Sequence, residues 1–149
     1  MRIVKAASDV YVGGAPSEQD LRQLAADGVH TVVDFREPGE RRGPKDGPAA
    51  AHEAGLAYVN IPVRAPTLSD AHVEELRRAV AGKPAGYLFH CAKGPRAEAM
   101  YVLKAALDHR WGPPEAEKEA SRLGFRFGDH DRLRGFVRDF TARHAGAEA

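Results

Sequence analysis

Residues 86–100 read GYLFHCAKGPRAEAM and contain the only cysteine of the 149-residue chain. Residues 87–89, Tyr-Leu-Phe, are typical of the end of a buried strand, and the run after Arg96 is typical of a helix. Cys91 therefore lies on a turn that leads from a strand into a helix. Because α/β proteins commonly bind ligands where a parallel strand passes into a helix, this stretch indicates both a fold and a site.

The segments on either side of this stretch alternate between strand and helix patterns. Short apolar and β-branched runs predict strands at residues 10–12, 30–35 and 56–63. Helical patterns predict helices between residues 17 and 28 and near 49–54, 69–81, 97–109, 114–123 and 130–144. This order predicts one α/β domain over residues 1–149, with a core of about 9–144 and a frayed C-terminal tail. Its central, mostly parallel sheet is expected to have four or five strands flanked by helices.

The composition argues against several classes of protein, namely those that bind nucleic acid, bind membranes or contain internal disulfides. The chain is 43% hydrophobic and 29% charged, and its formal net charge of +1 gives no general attraction to nucleic acid or membrane surfaces. A lone cysteine cannot form an internal disulfide, and neither a signal-peptide core nor an apolar run of about 20 residues is present. We therefore expect a cytoplasmic protein that binds neither nucleic acid nor membranes. Its many prolines and few amide side chains favour a thermophilic source or a GC-rich genome.

The turn between Cys91 and Arg96 has the parts of an anion site. Backbone N–H groups can converge there on one oxyanion, Gly94 permits unusual dihedral angles, and Arg96 offers a bidentate fork to phosphate or sulfate. The helix dipole and the guanidinium are expected to lower the pKa of the thiol, which makes Cys91 a candidate nucleophile. This layout predicts covalent attack on phosphorus or sulfur. His90 is expected to orient the loop by hydrogen bonding.

Three stretches carry a resemblance to a known family. HCAKGPR (residues 90–96) resembles the signature loop of cysteine-dependent phosphatases. VYVGGAPSEQDLRQLAADGVHTVVDFREPGE (10–40) is similar to the opening of small dual-specificity-like phosphatases, and YVNIPVRAPTLSDAHVEELRRAV (58–80) is similar to the segment before their signature loop. The resemblance covers roughly residues 9–110. It points to a small bacterial dual-specificity or tyrosine-phosphatase-like family, related to the phosphatase-like domain of beta-lactamase hydrolase-like proteins.

This resemblance implies a cysteine-phosphatase-like fold and a phosphoric monoester hydrolase that forms a phosphocysteine at Cys91. It implies no cofactor and no metal, and the expected substrate is a phosphorylated protein or a small phosphoester. The residues expected to bind the phosphate are Ala92, Lys93, Gly94, Pro95 and Arg96. In such enzymes the general acid lies on a loop before the cysteine. Asp70 is the candidate there, although it also suits the first turn of a helix.

Departures from the family pattern leave other functions open. Four residues, rather than the five of most cysteine phosphatases, separate Cys91 from Arg96. The bacterial subgroup that the chain resembles shares this shorter spacing, and so do rhodanese-type sulfurtransferases. Ala97 stands where a Ser or Thr usually helps the thiolate to leave, and the Glu98 carboxylate is expected to oppose anion binding. The alternatives are therefore a sulfurtransferase or persulfide carrier on the same thiol, or a catalytically weak phosphate-binding module. If the protein is a phosphatase, we expect low activity.

Other polar groups have structural interpretations that compete with functional ones. Gly-Asp-His-Asp at residues 128–131 suggests a metal site, but a helix N-terminus fits it better, and no second histidine cluster supports a metal. Asp34 and Arg36 follow a strand, where they could reach the site or form a structural ion pair. Glu-Arg-Arg at residues 40–42 is predicted to be solvated surface.

Overall fold

The computed structural model describes residues 3–43 and 45–146. The strands within these ranges are β1 (Ile3–Ala7), β2 (Val10–Gly13), β3 (Thr31–Asp34), β4 (Ala57–Asn60) and β5 (Tyr87–His90). The α-helices there are α1 (Glu18–Ala26), α2 (Pro48–Glu53), α3 (Asp70–Ala81), α4 (Pro95–His109), α5 (Pro113–Leu123) and α6 (Asp131–His144).

The strands form one sheet in the order β1-β2-β5-β3-β4. β2, β5, β3 and β4 pair in parallel, while β1 and β2 form an antiparallel hairpin. The strand that precedes the cysteine is therefore the central one. This topology confirms the predicted α/β fold with a five-stranded, mostly parallel sheet. β1 extends the sheet to Ile3, beyond the predicted core, as an edge strand whose mixed burial gives little sequence signal.

Helices cover both faces of the sheet. Successive residues of a strand point to opposite sides, so the apolar strands present side chains that must be buried on each face. Val32 and Leu88 face α1 and α2 and pack in a smaller apolar cluster with residues of those helices. Val33 and Phe89 face the other side, where α3, α4, α5 and α6 enclose the larger core. This burial on both faces explains why the strands read as continuous apolar runs.

Side-chain caps begin two helices where the sequence predicts them. At the start of α1, Ser17 Oγ accepts a hydrogen bond from the backbone N–H of Asp20, and the Asp20 carboxylate accepts one from the N–H of Ser17. At the start of α3, the backbone N–H of Ser69 donates to His72 Nδ1 across 3.0 Å. Asp70 is thereby placed in the first turn of α3.

The end of β4 differs from the prediction, and part of the predicted C-terminal tail lies outside the residues that the structure describes. β4 ends at Asn60 rather than near residue 63, because the regular pairing with the β3 segment breaks there. Ile61 N–H still donates to the carbonyl of Asp34, but Val63 N–H donates to that of Phe35, while the carbonyl of Arg36 accepts from the Asn60 amide. The last part of the predicted frayed tail, residues 147–149, lies outside the described residues. No helix in the described part of the chain is long and apolar enough to cross a membrane.

The carboxyl ends of the parallel strands lie in one row. Gly13 pairs with His90, His90 with Asp34, and Asp34 with Asn60. The cysteine loop leaves the middle of this row and enters α4 at Pro95. Side chains from three strands therefore meet beside the candidate nucleophile.

Candidate active site

The loop between β5 and α4 encloses the thiol of Cys91, which is fully buried. The backbone N–H of Gly94 donates to the sulfur across 3.1 Å. Gly94 has φ 117° and ψ −39°, a conformation that side-chain-bearing residues rarely adopt, and this turns its amide back towards Cys91.

Two backbone hydrogen bonds fix the loop to the turn after β2. The N–H of Cys91 donates to the carbonyl of Gly13 at 3.3 Å, and the N–H of Ala15 donates to the carbonyl of Ala92 at 3.0 Å. The loop therefore keeps its shape through contacts with a neighbouring strand, in addition to its own turn.

The backbone donors available to an anion are fewer than the loop residues predicted to bind it. Pro95 has no N–H group, and the amide of Gly94 is used by the sulfur. The amides of Ala92, Lys93 and Arg96 donate to no acceptor within residues 3–43 and 45–146. These three amides are the ones that could bind the oxygens of a tetrahedral anion.

Glu40 belongs to the run predicted to be solvated surface, yet its carboxylate holds Arg96. It accepts hydrogen bonds from Nη1 at 2.9 Å and from Nη2 at 2.7 Å. Nη1 also donates to the carbonyl of Val63 at 3.0 Å. These three contacts do not use the Nε–H or the second Nη2–H, which together form a fork for another anion. The hydrogen bonds to Glu40 and the nearby sulfur of Cys91 both raise the pKa of Arg96. The hydrogen bonds from Arg96 lower the pKa of Glu40, so its carboxylate is charged at neutral pH.

A buried ionic network lies behind the loop. Arg36 donates through Nε and Nη2 to Asp34 at 3.0 Å and through Nη1 and Nη2 to Asp46 at 2.8 and 2.9 Å. Tyr58 donates to Asp34 at 2.6 Å. Burial opposes ionisation of Asp34, but the hydrogen bonds from Arg36 and Tyr58 lower its pKa. Asp34 and Arg36 thus form a structural ion pair, which is one of the two roles that their sequence positions allow.

His90 connects this network to the cysteine loop. Its Nδ1 lies 3.2 Å from the carbonyl oxygen of Cys91 and 3.8 Å from an oxygen of Asp34. Because a carbonyl only accepts, Nδ1 carries the hydrogen in this arrangement. Burial lowers the pKa of His90, which favours the neutral imidazole. The geometry fits the expected role of His90 in orienting the loop.

An open cleft of about 480 Å³ lies in front of the loop. Its walls come from the cysteine loop, the turn after β3, the segment after β4 and the start of α6. The wall residues are Glu37, Glu40, Arg64, Ala65, Pro66, Cys91, Ala92, Lys93, Pro95, Arg96, His130 and Leu133. The candidate nucleophile and the arginine therefore share one accessible space.

Asp70, the candidate general acid, does not line this cleft. Its carboxylate accepts two hydrogen bonds of 2.8 Å from Arg143 and lies 3.1 Å from His144 Nε2. The hydrogen bonds from Arg143 hold the pKa of Asp70 at about 2. The structure thus brings Cys91 and Arg96 together and places Asp70 in a link between α3 and α6, as its helix-terminus interpretation allows.

Glu98 is engaged away from the anion site. Its Oε1 accepts a hydrogen bond from the backbone N–H of Phe127 at 3.0 Å, and burial raises its pKa. The expected repulsion between this side chain and a bound anion is correspondingly weaker. Residues 128–131 lead into α6, with His130 as the N-cap residue. No group of three potential metal ligands occurs in the described ranges.

Comparison with known proteins identifies the family. Residues 2–108 match the sequence model described as beta-lactamase hydrolase-like protein, phosphatase-like domain. The chain belongs to this family. Beta-lactamase hydrolase-like proteins of Xylella fastidiosa (strain 9a5c) and Agrobacterium fabrum are 31% and 30% identical to it over 131 and 128 residues. The alignments cover 86% and 84% of this chain but 30% of each relative, so the chain spans less than a third of their length.

Solved structures share the fold at low sequence identity. A DUF442 protein of Shewanella putrefaciens CN-32 superposes with a TM-score of 0.77 and 22% identity, over 95% of this chain and 90% of that one. TpbA of P. aeruginosa gives a TM-score of 0.74 and 22% identity, over 92% and 83%. Tk-PTP in its active form gives 0.75 and 21%, over 95% and 97%. These likenesses support the cysteine-phosphatase-like fold.

The sequence suggests other roles for two residues of the cleft wall. Glu40 belongs to the Glu-Arg-Arg run, and its partner Arg96 lies 56 residues away. The sequence around His130 suggests that this residue is either a metal ligand or part of a helix terminus. The signal that could reveal Glu40 is topological: it lies on the loop after β3, and β3 is the neighbour of β5.

Proposed function

We propose that the protein is a cysteine-dependent phosphatase that hydrolyses phosphate monoesters through a phosphocysteine at Cys91. The observation that carries the proposal is the joint placement of a buried thiol, unused loop amides and the free fork of Arg96 in one cleft. Membership of a phosphatase-like family supports a phosphoester as the substrate.

In the proposed first step, the sulfur of Cys91 attacks phosphorus, and the bond from phosphorus to the leaving oxygen breaks. The oxygen leaves with the electron pair and takes up a proton. The fork of Arg96 and the loop amides bind the three equatorial oxygens while charge moves across the phosphoryl group. The second step is attack of water on the phosphocysteine, which breaks the phosphorus–sulfur bond and releases inorganic phosphate.

The second step is expected to be slow. Ala97 is fully buried and offers no hydroxyl to the departing thiolate. The Gly94 N–H, 3.1 Å from the sulfur, is the group proposed to stabilise that thiolate instead. Turnover is therefore expected, at a low rate.

The proposed substrate is a phosphorylated protein or a small phosphoester. A form of TpbA in complex with phosphotyrosine shares the fold with a TM-score of 0.73 at 19% identity, over 98% of this chain and 91% of that one. This favours aryl phosphates as the first compounds to assay. The two proposed steps call for no metal or cofactor.

The deciding assay compares p-nitrophenyl phosphate with thiosulfate plus cyanide, in the presence of EDTA, for the wild type and Cys91→Ser. We expect phosphate release by the wild type and only the background rate from the variant. Thiocyanate formation with untouched phosphate ester would instead identify a sulfurtransferase. Phosphate binding without turnover would identify a binding module. Full phosphatase activity in Cys91→Ser would exclude covalent catalysis by this thiol.

A further inference from the structure

The leaving oxygen of the proposed reaction needs a proton, and Asp70 is bonded to Arg143 outside the cleft. We infer that His130 gives this proton from the cleft wall formed by the start of α6. The inference rests on the proposed phosphatase function and adds a catalytic residue to it.

The chemistry of the other titratable groups in the cleft favours His130. Glu40 is charged and accepts two hydrogen bonds from Arg96. Glu37 forms an ion pair with Arg64, with an N–O distance of 3.4 Å. Lysine and arginine side chains hold their protons too tightly to donate them readily at neutral pH. Imidazole both gives and takes a proton near neutrality, which is what the two steps require.

The side chain of His130 is available to a substrate. It is exposed, and it makes no hydrogen bond to any residue of the described ranges. Its backbone, by contrast, is fixed: the N–H donates to the carbonyl of Phe127 at 3.2 Å, and the carbonyl accepts from the N–H of Arg134 at 3.0 Å. The imidazole is therefore carried by an ordered main chain and faces the same space as Cys91.

The segment before His130 has an unusual backbone. Phe127, Gly128 and Asp129 have φ values of 56°, 66° and 54°, so three consecutive residues lie in the left-handed region. Residues other than glycine adopt this region at an energetic cost, and such strain persists where surrounding contacts enforce it, often beside functional sites. The strained segment places His130 directly at the start of α6.

Contacts with the start of α4 enforce this conformation. Glu98 Oε1 accepts the hydrogen bond from the Phe127 N–H at 3.0 Å. Gly128 lies so close to Pro95 that a Cβ atom added there would come within 2.9 Å of Pro95 Cγ. Pro95 and Glu98 both belong to the first turn of the helix that follows the cysteine loop. The position of His130 is therefore set relative to the nucleophile.

The proton balance of the two steps is complete with this residue. The imidazolium gives its N–H proton to the leaving oxygen as the phosphorus–oxygen bond breaks, which leaves a neutral alcohol, a phosphocysteine and a neutral imidazole. The imidazole then takes a proton from the attacking water, and phosphate and the thiolate are released as the phosphorus–sulfur bond breaks. The charged groups that share the cleft with His130 are Glu37, Glu40, Arg64, Lys93 and Arg96. Those beside it along its own segment are Asp129, Asp131 and Arg134.

The test compares phenyl phosphate, which has a poor leaving group, with p-nitrophenyl phosphate, which has a good one. For His130→Asn we expect kcat/KM to fall roughly 10²-fold on phenyl phosphate and by less than about threefold on p-nitrophenyl phosphate. His52→Gln, an exposed change on α2, is the matched control and should behave as the wild type.

Glu98 supplies a second pair of variants. Glu98→Ala removes the acceptor for the Phe127 N–H and should show the same selectivity for the poor leaving group, to a smaller degree. Glu98→Gln keeps an acceptor oxygen and should restore the rate. Equal losses of His130→Asn on both esters, or no loss on either, overturn the inference while the active wild type upholds the proposed function. A wild type that hydrolyses neither ester overturns both.

Discussion

Glu40 and Arg96 form a bidentate ion pair between the turn after β3 and the first turn of α4, with N–O distances of 2.9 and 2.7 Å. The pair occupies the edge of the guanidinium with Nη1 and Nη2, and it does not use the edge with Nε. A side chain held in this way loses little further freedom when it binds an anion. In the proposed phosphatase mechanism, Glu40 therefore orients the fork of Arg96 without occupying the place of the phosphate.

Replacing Glu40 with glutamine should weaken the site while preserving its shape. Glu40→Gln keeps an acceptor oxygen but removes the charge that fixes Arg96. We expect kcat/KM for p-nitrophenyl phosphate to fall about tenfold, which corresponds to about 1.4 kcal/mol, and vanadate inhibition to weaken in parallel. Glu53→Gln, at the exposed end of α2, is the control. Wild-type kinetics in Glu40→Gln would show that the pair does not orient the arginine.

Gly94 should be intolerant of a side chain for conformational reasons. A Cβ atom there would approach no atom closer than 3.6 Å, so the penalty of Gly94→Ala comes from its φ of 117° rather than from a clash. We expect a loss of about 1–2 kcal/mol in stability and a larger loss of activity, because the amide turns away from Cys91. Thermal unfolding and steady-state kinetics measure the two effects. Gly82→Ala, where φ is −93°, should change neither.

Asp46 supports the buried guanidinium of Arg36 from the loop before α2. Asp46→Asn leaves part of that buried charge uncompensated, so we expect the free energy of unfolding to fall by about 2 kcal/mol. Urea unfolding of this variant, beside Asp139→Asn on the exposed face of α6, provides the measurement. Equal stabilities of the two variants would contradict a supporting role for the network.

The same carboxylate predicts a pH dependence. Hydrogen bonds from Arg36 lower the pKa of Asp46 from 3.8 to about 2 in the folded protein. Its contribution is therefore present above about pH 4 and is lost as the pH falls towards 2. Over this interval the wild type should lose stability more steeply than Asp46→Asn. Parallel curves would show that the ion pair does not contribute to acid sensitivity.

Asp70 should be dispensable for leaving-group protonation. Because its carboxylate is bonded to Arg143, we expect Asp70→Asn to leave the ratio of rates on phenyl and p-nitrophenyl phosphate unchanged. A selective loss on phenyl phosphate would instead identify Asp70 as the general acid and remove the need for His130.

Local chemistry is enough to predict most of the fold. The apolar runs of β2, β3 and β5 and the cap at Ser17 are signals contained in a few neighbouring residues. β1 escapes prediction because its sequence, IVKAA, forms an edge strand with one fully buried residue and no clear alternation. The predicted β4 is too long because the change of register that ends the strand depends on contacts with the segment after β3, where the Asn60 amide donates to the carbonyl of Arg36.

The candidate site likewise has one part that the local sequence predicts and another that depends on tertiary packing. Cys91, Gly94 and Arg96 belong to one short loop, so their spacing alone indicates an anion cradle. The partner of Arg96 cannot be found from sequence, since Glu40 approaches it only after β3 and β5 pair. His130 likewise reaches the cleft only through the packing of the segment before α6 against α4.

Trapping the covalent intermediate tests the proposed phosphocysteine directly. Wild-type protein mixed with p-nitrophenyl phosphate and stopped in denaturant within one turnover should carry a phosphoryl group on the peptide that contains Cys91. The group should be absent from Cys91→Ser and should disappear when excess substrate is removed before stopping. A wild-type chain that releases p-nitrophenol while Cys91 never carries phosphate would contradict covalent catalysis by this thiol.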